Sequence, residues 1–326
     1  MMLGDLWKLF LENKKALAGL LILLFFVGVA LFAPWIAPYD PRGNKLVDQE
    51  VLEESRGRKQ TVERTQLDEF TEERIYDQTF TTRTKETTVK FPLKSPPTSK
   101  HLLGTTHSGQ DIFSQVVWGT RVSLSVGLVT GLFTTLVALT LALSAGYFGG
   151  RVDEVISLFT NVFLVIPSLP LMIVIAAYIT VRGVVPIILI LGLTSWPWPT
   201  RLLRSQVLSL KNRDFVRVAA SLGEKPGFII FREILPNMIS LVMASFFQST
   251  MAAIIGEATL EFIGLGNVSV VSWGTLLYWA QTNGALLSGA WWWFLPPGIC
   301  IALIGTSFAL MNFAIDEISN PKLRKR

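Results

Sequence analysis

The chain has 326 residues, of which 50% are hydrophobic and 16% are charged, with a formal net charge of +5. Its mean hydropathy of +0.46 is well above that of a soluble enzyme, and its basic residues lie beside apolar runs, so we predict an integral membrane protein that does not bind nucleic acid. A single cysteine, Cys300, excludes an intrachain disulfide, and with only two histidines a zinc site of the usual Cys/His kind is not expected.

Six apolar segments are long enough to cross the hydrocarbon core, which takes about 20 helical residues. None of them contains an internal Lys, Arg, Asp or Glu. The first is too long for a signal peptide and lacks a clear cleavage site, so we expect it to be retained. We therefore predict an all-α integral membrane protein with six transmembrane helices, at Ala16–Ile36, Val122–Phe148, Val155–Val181, Gly183–Thr200, Ile234–Gly256 and Gly289–Ile315.

The distribution of Lys and Arg predicts the direction of the chain. We place residues 1–15 in the cytoplasm and residues 16–38 in the first transmembrane helix. The short outer loops then hold only Arg182, whereas the short inner loops are basic. An even number of helices puts both termini in the cytoplasm. Residues 101–326 form a five-helix transmembrane core in this scheme.

Prolines and glycines mark the second and third predicted helices. Pro167 and Pro170 interrupt the third, where freed backbone carbonyls need new partners and can line a pathway. Such kinks also occur in inert packed helices, so both interpretations stay open. In the second helix, Gly127, Gly131 and Gly146 predict close contact with a neighbouring helix.

Residues 39–100 form a predicted extracytoplasmic insert whose composition differs from that of the rest of the chain. Its charges are dense and mixed, and Asp77–Phe91 is rich in Thr with Val and Phe. That pattern predicts two short strands around Arg83-Thr84-Lys85. A cap or a docking platform for an outer partner is one interpretation, and a tolerated surface insertion is the favoured one.

A short basic stretch, residues 205–233, separates the fourth and fifth apolar segments. It carries small residues at Ala219, Ala220 and Gly223, and the sequence Ile234-Leu235-Pro236-Asn237 follows it. Small side chains on the cytoplasmic side let the surface of another protein approach closely. The stretch therefore predicts a docking site for a cytoplasmic partner.

Two carboxylates, Glu257 and Glu261, are one helical turn apart just past the fifth segment. Because a charge at the bilayer centre costs about 3 kcal/mol or more, we expect both at the outer interface or facing a water-filled vestibule. With Pro167 and Pro170 they are candidates for a gate or for contacts along a pathway. A solvated helix end is the other interpretation, and it is the favoured one.

Other membrane protein classes fit the sequence less well. No HExxH motif occurs and no Asp lies within an apolar segment, which argues against an intramembrane protease. A secondary transporter is expected to show a buried ion-coupling carboxylate or an inverted repeat, and neither is evident. The chain has no G-x-x-x-x-G-K-[ST] phosphate loop, so we expect it not to hydrolyse ATP itself.

Four stretches together resemble the permease subunit of binding-protein-dependent ABC importers, in the peptide/nickel branch with its dipeptide and oligopeptide C-type members. They are HLLGTTHSGQDIFSQVVWGTRVSLSVG from residue 101, the cytoplasmic loop 217–237, GEATLEFIGLGNVSVVSWGTL from residue 256, and the end from WWWFLPPG to NPKLRKR. The resemblance covers the chain from about His101 onward and the first helix, and leaves most of the insert unmatched. The sequence departs from the branch pattern at His107, Gln110, Arg217 and Val218, where the branch has Asp, Arg, Glu and Ala.

The resemblance implies the type I ABC importer permease fold and a coupling helix that seats in a groove of an ATPase subunit. It assigns the coupling role to Arg217, Val218, Ala219, Ala220, Gly223, Ile234, Leu235 and Pro236. Two permease subunits form the pathway in this family. Two ATPase subunits bind ATP and Mg²⁺ beneath them, and an extracytoplasmic solute-binding protein delivers the ligand.

This resemblance also implies the place of the chain in the cell and its solute. We expect a multi-pass subunit of the inner (plasma) membrane, in contact with lipid, that is not an enzyme and holds no cofactor of its own. Its permease partner is expected to be a paralogue, with a second copy of the chain as the alternative. Di- or oligopeptides are the expected solute, and oligosaccharides or nickel are the alternatives.

Overall fold

The computed structural model of the chain describes residues 12–41, 94–179, 181 and 183–319. Within them the regular structure is helical, apart from an isolated antiparallel bridge between Thr105 and Asp111, which confirms the predicted all-α class. The strands predicted within Asp77–Phe91 lie outside the described residues. In chain order the helices are α1 (Lys14–Leu31), α2 (Ala33–Ile36), α3 (Ile112–Phe148), α4 (Gly150–Val165), α5 (Ser168–Tyr178), α6 (Val184–Ser195), α7 (Pro197–Lys211), α8 (Asp214–Ser221), α9 (Pro226–Phe262), α10 (Trp273–Thr282) and α11 (Trp291–Ser319).

Four of the described helices, α1, α3, α9 and α11, are long and apolar enough to cross a membrane. The shortest of them, α1, has 18 residues and is therefore about 27 Å long. A fifth crossing forms if α4 and α5 count as one broken span, since they meet at 91°. The helix α6 is apolar but has 12 residues, which is about 18 Å.

The third and fourth predicted segments are each divided into two helices at a proline. Ile166 has an extended backbone because the residue before a proline is disfavoured in the helical region, and Pro167 itself also has a ψ of 121°, outside the helical range. The interruption predicted at Pro167 is thus confirmed. Pro170 breaks nothing, since it lies in the first turn of α5, where no helical carbonyl needs its missing N–H. Pro197 likewise starts a new helix after α6.

The long helices α3 and α9 pack along each other at glycine contacts. A Cβ atom at Gly127 would lie 2.2 Å from Ile254 Cγ1, and one at Gly131 would lie 2.1 Å from Thr250 Oγ1. Further along α3, a Cβ atom at Gly146 would lie 2.6 Å from Val207 Cγ1 on α7. The close contacts predicted for these three glycines are confirmed, because any larger residue would force the helices apart.

The helix α9 begins within the stretch predicted as a loop. It starts at Pro226, so the Ile-Leu-Pro-Asn sequence lies inside a continuous helix and not at its start. The turn at Ile229–Ile234 is a π-helix, in which the N–H of Leu235 donates to the carbonyl of Ile230, five residues back. This wider turn lets the chain continue into Pro236, which cannot donate a hydrogen bond.

The first and last described helices lie side by side. Ser307 Oγ on α11 donates to the carbonyl oxygen of Gly19 on α1 at 2.6 Å. At the start of α1, the Asn13 side chain caps the helix, and Lys15 forms an ion pair with Glu317 near the end of α11. The described ends of the chain therefore meet at one end of the helix bundle.

Candidate coupling segment and buried carboxyl cluster

The segment from α7 to the start of α9 carries the residues predicted to couple the chain to a partner. Its short helix α8 is attached to the bundle through Val216, which is 2% exposed. Val216 belongs to an apolar cluster with Leu203 and Val207 of α7 and with Ile229 and Ile230 of α9. One face of α8 is thus fixed by apolar burial, and the rest of it is available to another molecule.

The structure divides the predicted coupling residues into two groups. Those exposed on and after α8 are Arg217, Val218, Ala220 and Gly223, and Ala219 is half-buried beside them. Ile234 is fully buried inside α9, Leu235 is half-buried, and Pro236 is exposed. Ile234 therefore belongs to the core that supports α8, and it is not available for docking.

Gly223 ends α8 for a conformational reason that its size alone does not suggest. Its φ of +81° lies in the left-handed region, which residues with a Cβ rarely adopt. The N–H of Gly223 donates to the carbonyl of Ala220, and that of Glu224 donates to the carbonyl of Ala219. These bonds satisfy carbonyls at the helix end in the manner of a glycine C-cap.

The prediction included Val218 but missed two larger apolar side chains, Phe215 and Leu222, because it was based on small residues and on the family pattern. Phe215, Val218 and Leu222 are 41%, 57% and 78% exposed. Their spacing of three and four residues places them on one face of the helix, and that spacing was a signal in the sequence. An exposed apolar face on a short, basic segment indicates a protein partner.

An ion pair connects the coupling segment to the bent helices. Arg204 on α7 holds Asp153 on α4 through two hydrogen bonds, Nε to Oδ1 at 2.5 Å and Nη2 to Oδ2 at 2.6 Å. Arg201, one turn earlier on α7, donates to Asn161 Oδ1 at 2.9 Å. The bidentate pair is the stronger of the two contacts, since both partners are charged and the two planar groups match.

Glu257 and Glu261 lie in the interior of the protein, at the end of the bundle opposite α8. They are 0% and 2% exposed, so the predicted solvated helix end is wrong. The helix α9 runs on to Phe262, and the following loop folds back over the carboxyl groups. A Cβ atom at Gly266 would lie 2.6 Å from Glu261 Cγ, and one at Gly274 would lie 2.8 Å from Glu261 Oε2.

Serine hydroxyls are the partners of both carboxyl groups. Ser123 Oγ on α3 lies 3.2 Å from each carboxyl oxygen of Glu257, and it accepts the backbone N–H of Trp273. Ser272, which caps α10, donates its hydroxyl to Glu261 Oε2. Among the described residues neither carboxyl group forms an ion pair. The carboxyl groups thus join α3, α9 and α10 through hydrogen bonds and not through ion pairs.

The far end of the bundle also carries the two histidines. His101 Nδ1 lies 3.0 Å from Asp111 Oδ1, and Asp111 caps α3 by accepting the N–H of Ser114. The His107 ring stacks on Trp293 at 5.6 Å and on Trp279 at 6.2 Å between ring centres. Within the described ranges no three His, Cys, Asp or Glu residues cluster in a way that would hold a metal ion.

Comparisons with known proteins agree on one family. Residues 138–325 match the family described as the inner membrane component of binding-protein-dependent transport systems, and residues 2–53 match the N-terminal transmembrane domain of oligopeptide transport permease C. The chain is 30% identical to the di/tripeptide transport system permease protein DppC of Pseudomonas aeruginosa (strain UCBPP-PA14), over 99% of this chain and 93% of the relative.

Two further comparisons extend the match. The dipeptide transport system permease protein DppC of Bacillus subtilis (strain 168) is 28% identical over 98% of this chain and 86% of its own length. A chain of the MetNI methionine ABC transporter, solved in inward-facing conformations, shares the fold with a TM-score of 0.50 and 18% identity, covering 66% of this chain and 97% of that chain. Since the family match spans more than half of the sequence, the chain belongs to the inner membrane components of binding-protein-dependent transport systems.

Proposed function

We propose that the chain is the transmembrane permease subunit of an ATP-driven importer and forms half of the pathway for di- or oligopeptides. The observation that carries this proposal is the similarity, over nearly the whole chain, to permease proteins of dipeptide and di/tripeptide transport systems. The exposed apolar face of α8 supports it, because a transport subunit without a phosphate loop needs a partner that supplies energy.

In this proposal the chain crosses the inner membrane six times, with both termini in the cytoplasm. The helices α1, α3, α9 and α11 supply four crossings, α4 with α5 supplies another, and α6 with the start of α7 supplies the sixth. The contact between Lys15 and Glu317 supports an even number, since it joins the described ends of the chain at one end of the bundle. The basic residues near α8 support a cytoplasmic position for that end.

The helix α8 docks in a groove of an ATPase subunit, with Phe215, Val218 and Leu222 as its apolar contacts. Two such ATPases bind ATP and Mg²⁺, and the permease chain itself binds neither. Arg217 is exposed where the branch has Glu, so the cognate groove presents a carboxylate or a carbonyl to it. A second permease, paralogous to this chain, and an extracytoplasmic solute-binding protein complete the assembly.

Gating uses both ends of the bundle. The corner at Pro167 lets α5 change its angle to α4 when α8 is displaced, because the break leaves few backbone hydrogen bonds to oppose it. At the far end, Glu257 contacts Ser123 of α3, and Glu261 contacts Ser272, which caps α10. These contacts hold α10 and the loop between α9 and α10 in place. Their role is to position the outer gate, and their burial argues against direct contact with solute.

Assembly and transport are tested in sequence. The tagged full chain is purified in mild detergent, and we expect a second permease and ATPase subunits to accompany it. The complex is then reconstituted in proteoliposomes with its solute-binding protein and offered labelled di- and tripeptides, oligosaccharides or Ni²⁺. We expect ATP-dependent accumulation of peptides alone. Accumulation of another solute would identify that solute as the substrate in place of peptides. Uptake without ATP would favour a secondary transporter.

A further inference from the structure

Arg121 presents a guanidinium group that lacks a partner of opposite charge in the described structure. It is exposed on α3 and lies 5.2 Å from the centre of the Trp118 ring. Among the described residues, the guanidinium contacts this ring and forms no hydrogen bond or ion pair. A guanidinium carries several N–H donors in a planar fork, so Arg121 retains its capacity to bind an anion.

Arg121 lines a cavity at this end of α3. The cavity has a volume of about 740 Å³, which is in the usual range for a small-molecule site. It is lined by Arg121 and Trp118 of α3, by the segment that follows α1, and by Val271 from the loop before α10. A charged group, an aromatic ring and apolar walls therefore meet in one recess.

The wall opposite Arg121 is held in place by hydrogen bonds. The backbone N–H of Tyr39 donates to Ser114 Oγ at 3.2 Å, and the Tyr39 hydroxyl donates to the carbonyl of Lys100 at 3.2 Å. Gln115 Nε2 donates to the carbonyl of Pro41 at 3.1 Å. The prolines of this segment restrict its backbone further, so the recess is pre-formed and does not need a ligand to shape it.

Three features of the recess are those of a site at the depth of the lipid headgroups. Its wall comes directly after α1, whose other end carries Lys14 and Lys15, and Trp35 beside it is 79% exposed. Exposed tryptophans concentrate at this depth in membrane proteins. Arg121 is also the last charged residue of α3 before an apolar run to Phe148. The recess is at the end of the bundle opposite α8.

We propose that this recess binds the headgroup phosphate of a phospholipid from the leaflet opposite α8. The planar fork of Arg121 suits two phosphate oxygens, and the Trp118 ring supports the guanidinium by a cation–π contact. Phosphatidylethanolamine and phosphatidylglycerol share this phosphate, so both are expected to bind, and this inference does not depend on the transported solute.

Native mass spectrometry of the purified, delipidated complex tests the site. The probes are phosphatidylethanolamine, phosphatidylglycerol, and diacylglycerol, which has the same chains and no phosphate. We expect Arg121→Gln to weaken phosphatidylethanolamine binding about tenfold, since a charge-assisted fork is lost. Lys100→Gln is the matched control, because it removes a cation at the same end whose side chain does not line the recess, and we expect no change.

Two more variants keep the test decisive if Arg121→Gln does not assemble. Arg121→Lys keeps the charge without the fork, and Trp118→Leu keeps the arginine without the ring, so both should bind phosphatidylethanolamine more weakly than the parent. Equal binding by all variants, or equal binding of diacylglycerol, would overturn the proposal. Displacement of the lipid by a dipeptide would also overturn it, and would assign Arg121 to the carboxylate of a solute.

Discussion

Arg204 and Asp153 join the helix that leads into the coupling segment to the helix that leads into the proline corner. The pair is bidentate, and its side chains are 28% and 22% exposed. Only Asn212 and Arg213 separate α7 from α8. On the other side of the pair, α4 leads through Pro167 into α5. In the proposed assembly, a displacement of α8 by an ATPase would therefore reach the bent pair through this contact between charged groups.

Arg204→Ala is expected to separate ATP hydrolysis from transport. The ATPases still hydrolyse ATP, but uptake per ATP falls several-fold because α4 no longer follows α7. Global stability should fall by only about 1 kcal/mol, since the pair is partly exposed. Uptake and ATP hydrolysis are measured on the same proteoliposomes, and thermal unfolding is measured in detergent.

Arg201→Ala is the matched control for that prediction, because Arg201 also bridges α7 to α4 but through one hydrogen bond to Asn161. We expect near-parental uptake per ATP in this variant. The charge reversal Arg204→Asp with Asp153→Arg should recover part of the lost coupling. An equal loss of uptake per ATP in Arg201→Ala and Arg204→Ala would show that the bidentate pair has no special role in coupling.

The sequence predicted the features that depend on local composition. Long uncharged runs predicted α1, α3, α9 and α11, and the prolines located the break between α4 and α5. The glycines of α3 predicted its close contacts, since a small residue in an apolar helix has few other uses there. Each of these follows from properties that a helix has before it meets another helix.

Features that depend on the return of a distant segment were not predictable. The solvated end expected for Glu257 and Glu261 is wrong because the loop after α9 folds back and brings Ser272 and Gly274 over the carboxyl groups. The pairing of Arg204 with Asp153 spans 51 residues and depends on how α4 and α7 cross. Arg204 appeared in the sequence only as one of many basic residues that set topology.

Gly223→Ala is expected to weaken the coupling segment by straining its backbone. The residue has φ +81° and open space around it, so the cost is conformational and about 1 kcal/mol. Gly227→Ala is the control, since Gly227 also has open space but no positive φ and lies in the first turn of α9. We expect Gly223→Ala to reduce co-purification of the ATPase and Gly227→Ala to leave it unchanged. A reduction common to both would contradict the assignment.

Leu222→Ser should release the ATPase subunits while leaving the permease folded. Leu222 directly follows α8, continues its apolar face and is 78% exposed, so its loss affects docking and not the core. Leu287→Ser is the control, because Leu287 is 95% exposed but lies in the loop after α10. The ratio of ATPase to permease in the purified complex measures the effect. An unchanged ratio in Leu222→Ser would remove this face of α8 from the docking surface.

Glu257→Ala and Glu257→Gln distinguish a structural role from a gating role. The alanine variant leaves the Ser123 hydroxyl hydrogen without an acceptor in a buried site, which is expected to cost about 2 kcal/mol of stability. The glutamine variant keeps an acceptor and nearly the same volume. If the cluster positions the outer gate, Glu257→Gln assembles normally and transports more slowly. Parental uptake by Glu257→Gln would limit the pair to a structural role.

His107 gives the far end of the bundle a dependence on pH. Burial of its ring, with a smaller contribution from the Lys94 ammonium, lowers the pKa of His107 below its usual value of 6.5. In the folded protein this ring stacks on Trp293 and Trp279. The unfolded chain therefore binds a proton on this residue at a higher pH than the folded chain does.

The sign of the effect follows from this difference in bound protons. The contribution of neutral His107 to stability is fully present above pH 6.5, and it is lost as the pH falls from 6.5 through the lowered pKa of the folded state. His107→Phe keeps a ring between the tryptophans and removes the titration, so its unfolding temperature should fall less on acidification. Lys94→Gln should weaken the acid sensitivity partially, because burial remains. Thermal unfolding of the purified complex between about pH 5 and pH 8 measures both effects, and parallel curves for His107→Phe and the parent would contradict the assignment.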